Sequence, residues 1–204
     1  PTPYDSSAEY LTKAIDDSLT RLRTDRIDLW QIHRPDVLTH PQEIARTIED
    51  AHKAGKIRAF GVSNFTQAQI TALAQFSAVP IVSTQPELSP LRIDTIENGE
   101  LDQAIAMDLA VMAWSPLGGG RIGAPSNARE QSVAAALSGV AAGHNVSRTA
   151  AAYSWIMAHP ARPIPIVGSQ NPARIIEAAD AFKIQWTRAD WYSVLVAARG
   201  VPLP

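Results

Sequence analysis

The sequence predicts an α/β protein built on parallel strands, with the (β/α)8 or TIM barrel as the favoured architecture. Three observations carry this. Five strand-like apolar runs alternate with helical segments at intervals of roughly 25 to 50 residues, the pattern of consecutive parallel βα units. Each run hands over to the next helix through polar or reactive residues: His33 after the first, Ser63 and Asn64 after the second, Gln85 and Glu87 after the third. Trp114 and Ser115 follow the fourth, and Gly168 and Ser169 the fifth, which is how a barrel lines a site at one face. Finally, no G-x-G-x-x-G follows any strand, the motif that marks dinucleotide binding in the alternative, an open doubly wound sheet.

In chain order, Ser6 and Glu9 have capping-box spacing, and Leu11, Ile15, Leu19 and Leu22 follow at helical intervals. Ile27 to Ile32 is the first strand. After the turn at Pro35 a helix is expected from Pro41 to Ala54, closed by Gly55, with His52 and Lys53 in its last turn. Residues 57 to 64, "IRAFGVSN", form the second strand, and Ile70, Leu73 and Phe76 mark the next helix. "VPIVSTQ" is the third strand, followed by a helix from about Asn98 to Met107, and residues 109 to 115, "LAVMAWS", are the fourth. Beyond a glycine-rich loop come helices over 133–140 and 147–158. "RPIPIVG" is a fifth strand ending at Gly168, Pro172 opens a helix, and "TRADWYSVLVAARG" is a final amphipathic helix that buries Trp191, Val194 and Leu195.

A barrel needs eight strands and typically about 250 residues, so five strands in 204 residues would leave unpaired edges. The expectation is a single domain over 1–204 that is the C-terminal two-thirds of a barrel, its strands four to eight. Pro1 is not an initiator methionine, which suits that reading.

Composition narrows the function. Hydrophobic residues make up 46%, charged residues 19%, and the net charge is -2, so there is no basic footprint for nucleic acid or for a membrane surface. A small molecule is the expected partner. There is no cysteine, which removes disulfides, thiol catalysis and cysteine-based metal sites and suits a reducing compartment. No signal peptide or apolar run of spanning length is present, so a cytoplasmic protein with no metal site is expected.

"TRLRTDRIDLWQIHRPD", "AGKIRAFGVSNF", "TQPELSPL", "MAWSPLGGG" and "PIVGSQNPARI" stand in an order and at separations that resemble the aldo-keto reductases, and the resemblance covers nearly the whole chain. Five linked motifs are a specific signal where each alone is weak. The resemblance implies a (β/α)8 barrel that uses NADPH to reduce aldehydes and ketones to alcohols. It places His33 beside the substrate carbonyl, where a donor stabilises the alkoxide that develops as hydride arrives. It assigns Ser63, Asn64 and Gln85 to the nicotinamide carboxamide, an amide that needs both donor and acceptor partners. Ser63 and Asn64 would equally suit a cap for the helix beginning near Thr66.

By the same resemblance, Trp114 stacks on the nicotinamide, although plain core packing is the other use of an indole there. Ser115, Leu117 and Gly118 meet the pyrophosphate, where glycine uncovers backbone N–H groups. Ser169 and Arg174 hold the adenosine 2′-phosphate, a guanidinium fork favouring NADPH over NADH. The chain departs from the better-known pattern with Gly168 where many members have lysine and Ala178 where many have asparagine. The family's aspartate, tyrosine and lysine lie ahead of the helix that begins near Ser6, and Tyr4, beside that helix cap, is not assigned as the tyrosine. Tyr10, Tyr153 and Tyr192 read as packing or surface residues, as do His40, His52, His144 and His159. A preserved nucleotide surface without the catalytic acid would make a non-catalytic nicotinamide-nucleotide-binding protein, the alternative function on the same scaffold.

Overall fold

The computed structural model describes residues 4–203; Pro1 and Pro204 lie outside the described residues. Two compact units are distinguished. One is the chain through Gln85 together with Ala106–Ala110; the other is Pro86–Ile105 together with the chain from Val111 onward.

In the first unit the order is α1 (Ala8–Leu22), β1 (Ile27–Ile32), α2 (Pro41–Lys53), β2 (Ile57–Ser63), α3 (Gln67–Phe76) and β3 (Ile81–Gln85). The strands pair in parallel, β1 with β2 from Ile27↔Ile57 to Ile32↔Val62, and β2 with β3 from Phe60↔Ile81 to Ser63↔Gln85. Parallel pairing demands crossover helices, and the apolar stripes of α1, α2 and α3 supply their packing faces. Ile15, Ile48, Ile57, Phe60, Ile70 and Leu73 are all buried in the core. The cap of α1 is Ser7, whose hydroxyl accepts the Tyr10 N–H, one residue later than the Ser6 cap the spacing predicts. The reason is tertiary: the Ser6 N–H is bound by the carboxylate of Asp36 at 3.0 Å, and Ser6 is buried. In α2, His40 is the cap and Pro41 sits at the first helical position.

The second unit contains α4 (Asp94–Glu97), α5 (Glu100–Ala106), β4 (Ala110–Ala113), α6 (Ala128–Gly143), α7 (Arg148–Met157), β5 (Ile164–Pro165), α8 (Pro172–Ala178), a 3-10 turn (Ala179–Lys183) and α9 (Arg188–Arg199). Only the last residue of α5, Ala106, and the first of β4, Ala110, fall in the first unit. The helix expected from about Asn98 to Met107 is α5, and a short helix not expected from the sequence, α4, precedes it across Gly99 at φ 86. β4 is shorter than the predicted 109–115, although Trp114 continues with an isolated parallel bridge to Glu87. β4 and β5 are parallel, Met112 opposite Ile164 and Ala113 opposite Pro165. The fifth strand stops at Pro165 rather than reaching Gly168, because Pro163 and Pro165 have no N–H to donate and the ladder adds only the Ile166 N–H to the Ala113 carbonyl at 2.9 Å. In α9, Val194 and Leu195 are buried as the amphipathic pattern requires, and Trp191 is partly buried. Its indole stacks on Trp155, ring centroids 4.8 Å apart at 12°.

Among the described residues no helix is long and apolar enough to cross a membrane, and no group of three or more His, Asp or Glu residues is placed to hold a metal.

Candidate functional site

In the first unit the carboxyl ends of three adjacent strands bring His33, Ser63, Asn64 and Gln85 together through hydrogen bonds. Ser63 Oγ donates to the Gln85 carbonyl at 2.7 Å, and the Asn64 N–H reaches the same oxygen at 3.2 Å. The Asn64 side-chain Nδ2 donates to Ser63 Oγ at 2.8 Å and to the His33 carbonyl at 3.0 Å. Asn64 has φ 62, a left-handed conformation that asparagine tolerates better than other residues with a Cβ. These residues are not a helix cap. Thr66 caps α3, its hydroxyl accepting the Gln69 N–H while the Gln69 side chain accepts the Thr66 N–H. The His33 ring is exposed and has no hydrogen-bond partner among the described residues.

The loop after His33 is held by Asp36, a residue sequence reasoning left without a role. Its carboxylate accepts the Thr39 hydroxyl at 2.6 Å, the Leu38 N–H at 2.9 Å and the Ser6 N–H at 3.0 Å. These bonds, the Thr39 hydroxyl foremost, hold its pKa below the ordinary carboxylate value. The spacing of Asp36 to Leu38 and Thr39 is a local turn signal that was present in the sequence; the bond to Ser6 was not. Other histidines are tied to backbone. His40 Nδ1 accepts the Gln42 N–H, His144 lies between the Val140 carbonyl and the Gln185 N–H, and His159 Nδ1 accepts the Ala161 N–H. Burial pushes the pKa of His159 down.

In the second unit a cavity of about 500 Å³ gathers four of the expected residues, Ser115, Leu117, Ser169 and Arg174. Gly118 lies outside its lining, buried beneath the loop, where an added Cβ would come within 3.0 Å of Leu91 Cδ1. The glycine N–H groups are committed within the loop: Gly118 to the Ser115 carbonyl at 2.8 Å, Gly119 to Ser115 Oγ at 3.1 Å and Gly120 to the Leu117 carbonyl at 3.1 Å. They therefore do not stand ready for an anion, contrary to the expectation for a glycine-rich loop. What the cavity offers an anion is the exposed Arg174 guanidinium, which makes no ion pair among the described residues, and the Ser169 hydroxyl. Ser169 Oγ accepts the Asn171 N–H at 3.1 Å, so its proton remains a donor. Trp114 does not line this cavity; it is partly buried, and its main-chain N–H donates to the Pro86 carbonyl at 3.0 Å.

Thr149, Tyr153 and Glu177 also line the cavity and were missed. Thr149 and Tyr153 are four apart on α7 and Glu177 is three beyond Arg174 on α8, so helical spacing carried the signal. Burial raises the Tyr153 pKa, and the Glu177 charge adds to it. An arginine fork, a serine hydroxyl and a polar wall fit a phosphate group, and a cavity of this size fits a nucleotide fragment.

The sequence model of the aldo/keto reductase family matches residues 1–195. The 6-dehydroglucose reductase of Novosphingobium aromaticivorans is 63% identical over 204 residues, covering 100% of this chain and 67% of its own length. Oxidoreductase YdhF of Escherichia coli is 36% identical over 202 residues, covering 98% of this chain and 67% of its own. The chain thus spans about two thirds of the length of these relatives. Among solved structures, the glycerol dehydrogenase AKR11B4 of Gluconobacter oxydans superposes with a TM-score of 0.86 at 29% identity over 98% of this chain and 67% of that one. The thermostable aldo-keto reductase Tm1743 gives 0.85 at 22% identity over 94% of this chain and 67% of that one, a likeness of fold.

Proposed function

The chain belongs to the aldo/keto reductase family, and on that premise we propose that it carries the cofactor surface and one catalytic residue of an NADPH-dependent reductase of aldehydes or ketones. Residues 1–204 are read as one portion of a (β/α)8 barrel, strands four to eight. The substrate class follows from the relative at 63% identity, which by its name acts on 6-dehydroglucose: an aldehyde-bearing sugar is proposed here as well.

The observation that carries the reading is the bonded set of Ser63, Asn64 and Gln85 at the strand ends, joined to the main chain of His33 through Asn64 Nδ2, while the His33 ring itself makes no hydrogen bond among the described residues. NADPH supplies, when bound, a hydride to the carbonyl carbon. Ser63, Asn64 and Gln85 orient the carboxamide and so present one face of the ring, with Trp114 as its stacking partner. Ser115 and Leu117, which line the cavity with Ser169 and Arg174, lie at the pyrophosphate, Gly118 serving only to turn the chain beneath them, and Ser169 and Arg174 hold the 2′-phosphate. His33 donates a hydrogen bond to the carbonyl oxygen, where charge develops only in the transition state. The proton for the alkoxide is assigned to a tyrosine acid, as in the family, and to none of Tyr4, Tyr10, Tyr153 or Tyr192.

The test is His33→Ala assayed with 6-dehydroglucose and NADPH. Turnover is expected to fall about 100-fold or more, in line with loss of a transition-state donor, while NADPH affinity changes little. Equal losses in both would count against the role.

A further inference from the structure

We propose that Asn64 is a positioning residue for His33: its side-chain amide braces the strand end that carries the imidazole. The inference rests on the reading that His33 faces the carbonyl oxygen. Both Nδ2 protons of Asn64 have acceptors, the His33 carbonyl at 3.0 Å and Ser63 Oγ at 2.8 Å. Ser63 passes its own proton to the Gln85 carbonyl at 2.7 Å. A continuous run of donors therefore ties the ends of β1, β2 and β3 together, and its far terminus is the main chain of His33. A carbonyl held in place fixes the Cα–Cβ direction of its residue, and hence where the ring points.

Two demands meet at position 64 and together select asparagine. The backbone is left-handed at φ 62, which restricts the choice to glycine, asparagine or aspartate without strain. The brace needs a side-chain group that donates twice, which only asparagine among the three supplies. One consequence is that cofactor contact and His33 placement share one side chain.

Asn64→Gly keeps the backbone and removes the brace. Asn64→Asp keeps the shape and sets an oxygen against the His33 carbonyl. Each is made in the full chain, alone and with His33→Ala, and read by kcat at saturating NADPH, NADPH Kd and the imidazole NMR signals of His33 without cofactor. The expected result is a kcat lower by about 10- to 100-fold, the cost of a small misplacement, with a smaller rise in Kd. In the His33→Ala background the Asn64 substitutions should cost clearly less kcat than they do with His33 present, leaving only the share that acts through the carboxamide, because residues acting as one unit are not additive. His33 resonances should move while those of His144 and His159 stay. The proposal is overturned if the Asn64 cost persists undiminished without His33, or if the His33 signals of the folded variants match wild type. A His33→Ala protein with wild-type turnover would defeat the functional reading instead, and the NMR comparison would still decide for or against the brace.

Discussion

Replacing Gly61 with alanine should destabilise the first unit by about 3 kcal/mol, an amount that follows from three distances. Gly61 faces Ser83 across the β2–β3 pair, where the register shifts. A Cβ at position 61 would lie 1.9 Å from Ser83 Oγ, 2.8 Å from the Ser83 carbonyl oxygen and 3.2 Å from Gln31 Oε1. The first clash can be relieved by rotating the Ser83 hydroxyl, which breaks its 3.2 Å bond to Gln31 Oε1 and forfeits about 1 kcal/mol. The second is with main chain, so β3 must shift against β2, and overpacking of that kind costs about 1–3 kcal/mol. At roughly 2–4 °C per kcal/mol for a chain of this size, Tm should drop by roughly 6–12 °C. Thermal and urea unfolding followed by circular dichroism would measure it, with Ser83→Ala and the double variant alongside. Ser83→Ala removes the Oγ contact alone, so the double variant should recover only part of the loss. A Gly61→Ala protein within about 0.5 kcal/mol of wild type, the range of an ordinary surface change, would refute the argument. So would full recovery in the double variant, which would mean the backbone contact costs nothing.

Three further outcomes can be checked independently. Trp155 is fully buried, stacked on Trp191, and the two indoles exchange N–H to carbonyl bonds of 3.0 Å; Trp155→Ala should cost about 3–5 kcal/mol in urea unfolding, and a loss under about 1 kcal/mol would contradict that packing. The hydrogen bonds to Asp36 hold its folded pKa below the ordinary carboxylate value, so its stabilisation is complete above that ordinary value and disappears as pH falls through the lower folded one. The stability gap between wild type and Asp36→Asn should therefore be constant near neutral pH and close in strong acid; a gap unchanged in acid would show that the carboxylate is not its source. Arg174→Ala should weaken NADPH binding by about tenfold or more, as loss of a charge-assisted bond requires, and NADH binding far less. Titration calorimetry giving equal losses would remove the 2′-phosphate role.

Local chemistry was legible wherever a signal repeats within a turn or two. The apolar run of Ile27 to Ile32 is β1 as read, Pro41 opens α2, and Val194 and Leu195 lie on the buried stripe of α9. The five motifs placed the chain in its family because each is a short string at a strand end. The misreadings arose where a partner far along the chain decides. The predicted fifth strand looked long because its apolar run is long, yet a strand exists only where a neighbour accepts and returns hydrogen bonds, and two prolines have none to return. The helix cap moved from Ser6 to Ser7 because Asp36, 30 residues away, binds the Ser6 amide.

The same division runs through the candidate site. Sequence by itself determined which residue types sit at the strand ends: an imidazole at 33, a serine and an asparagine at 63 and 64, a glutamine at 85, an arginine at 174. Their chemistry follows from covalent structure and needs no fold to be stated. Tertiary structure decided which of their atoms remain available. The glycine N–H groups after Ser115 look ready for phosphate in the sequence and are consumed by their own loop. The Asn64 amide looks like a cofactor ligand and is bound to the carbonyl of His33, 31 residues away. A sequence specifies donors and acceptors one residue at a time; only folding, by bringing distant groups within 3 Å, settles which pairs satisfy each other and which are left for a ligand.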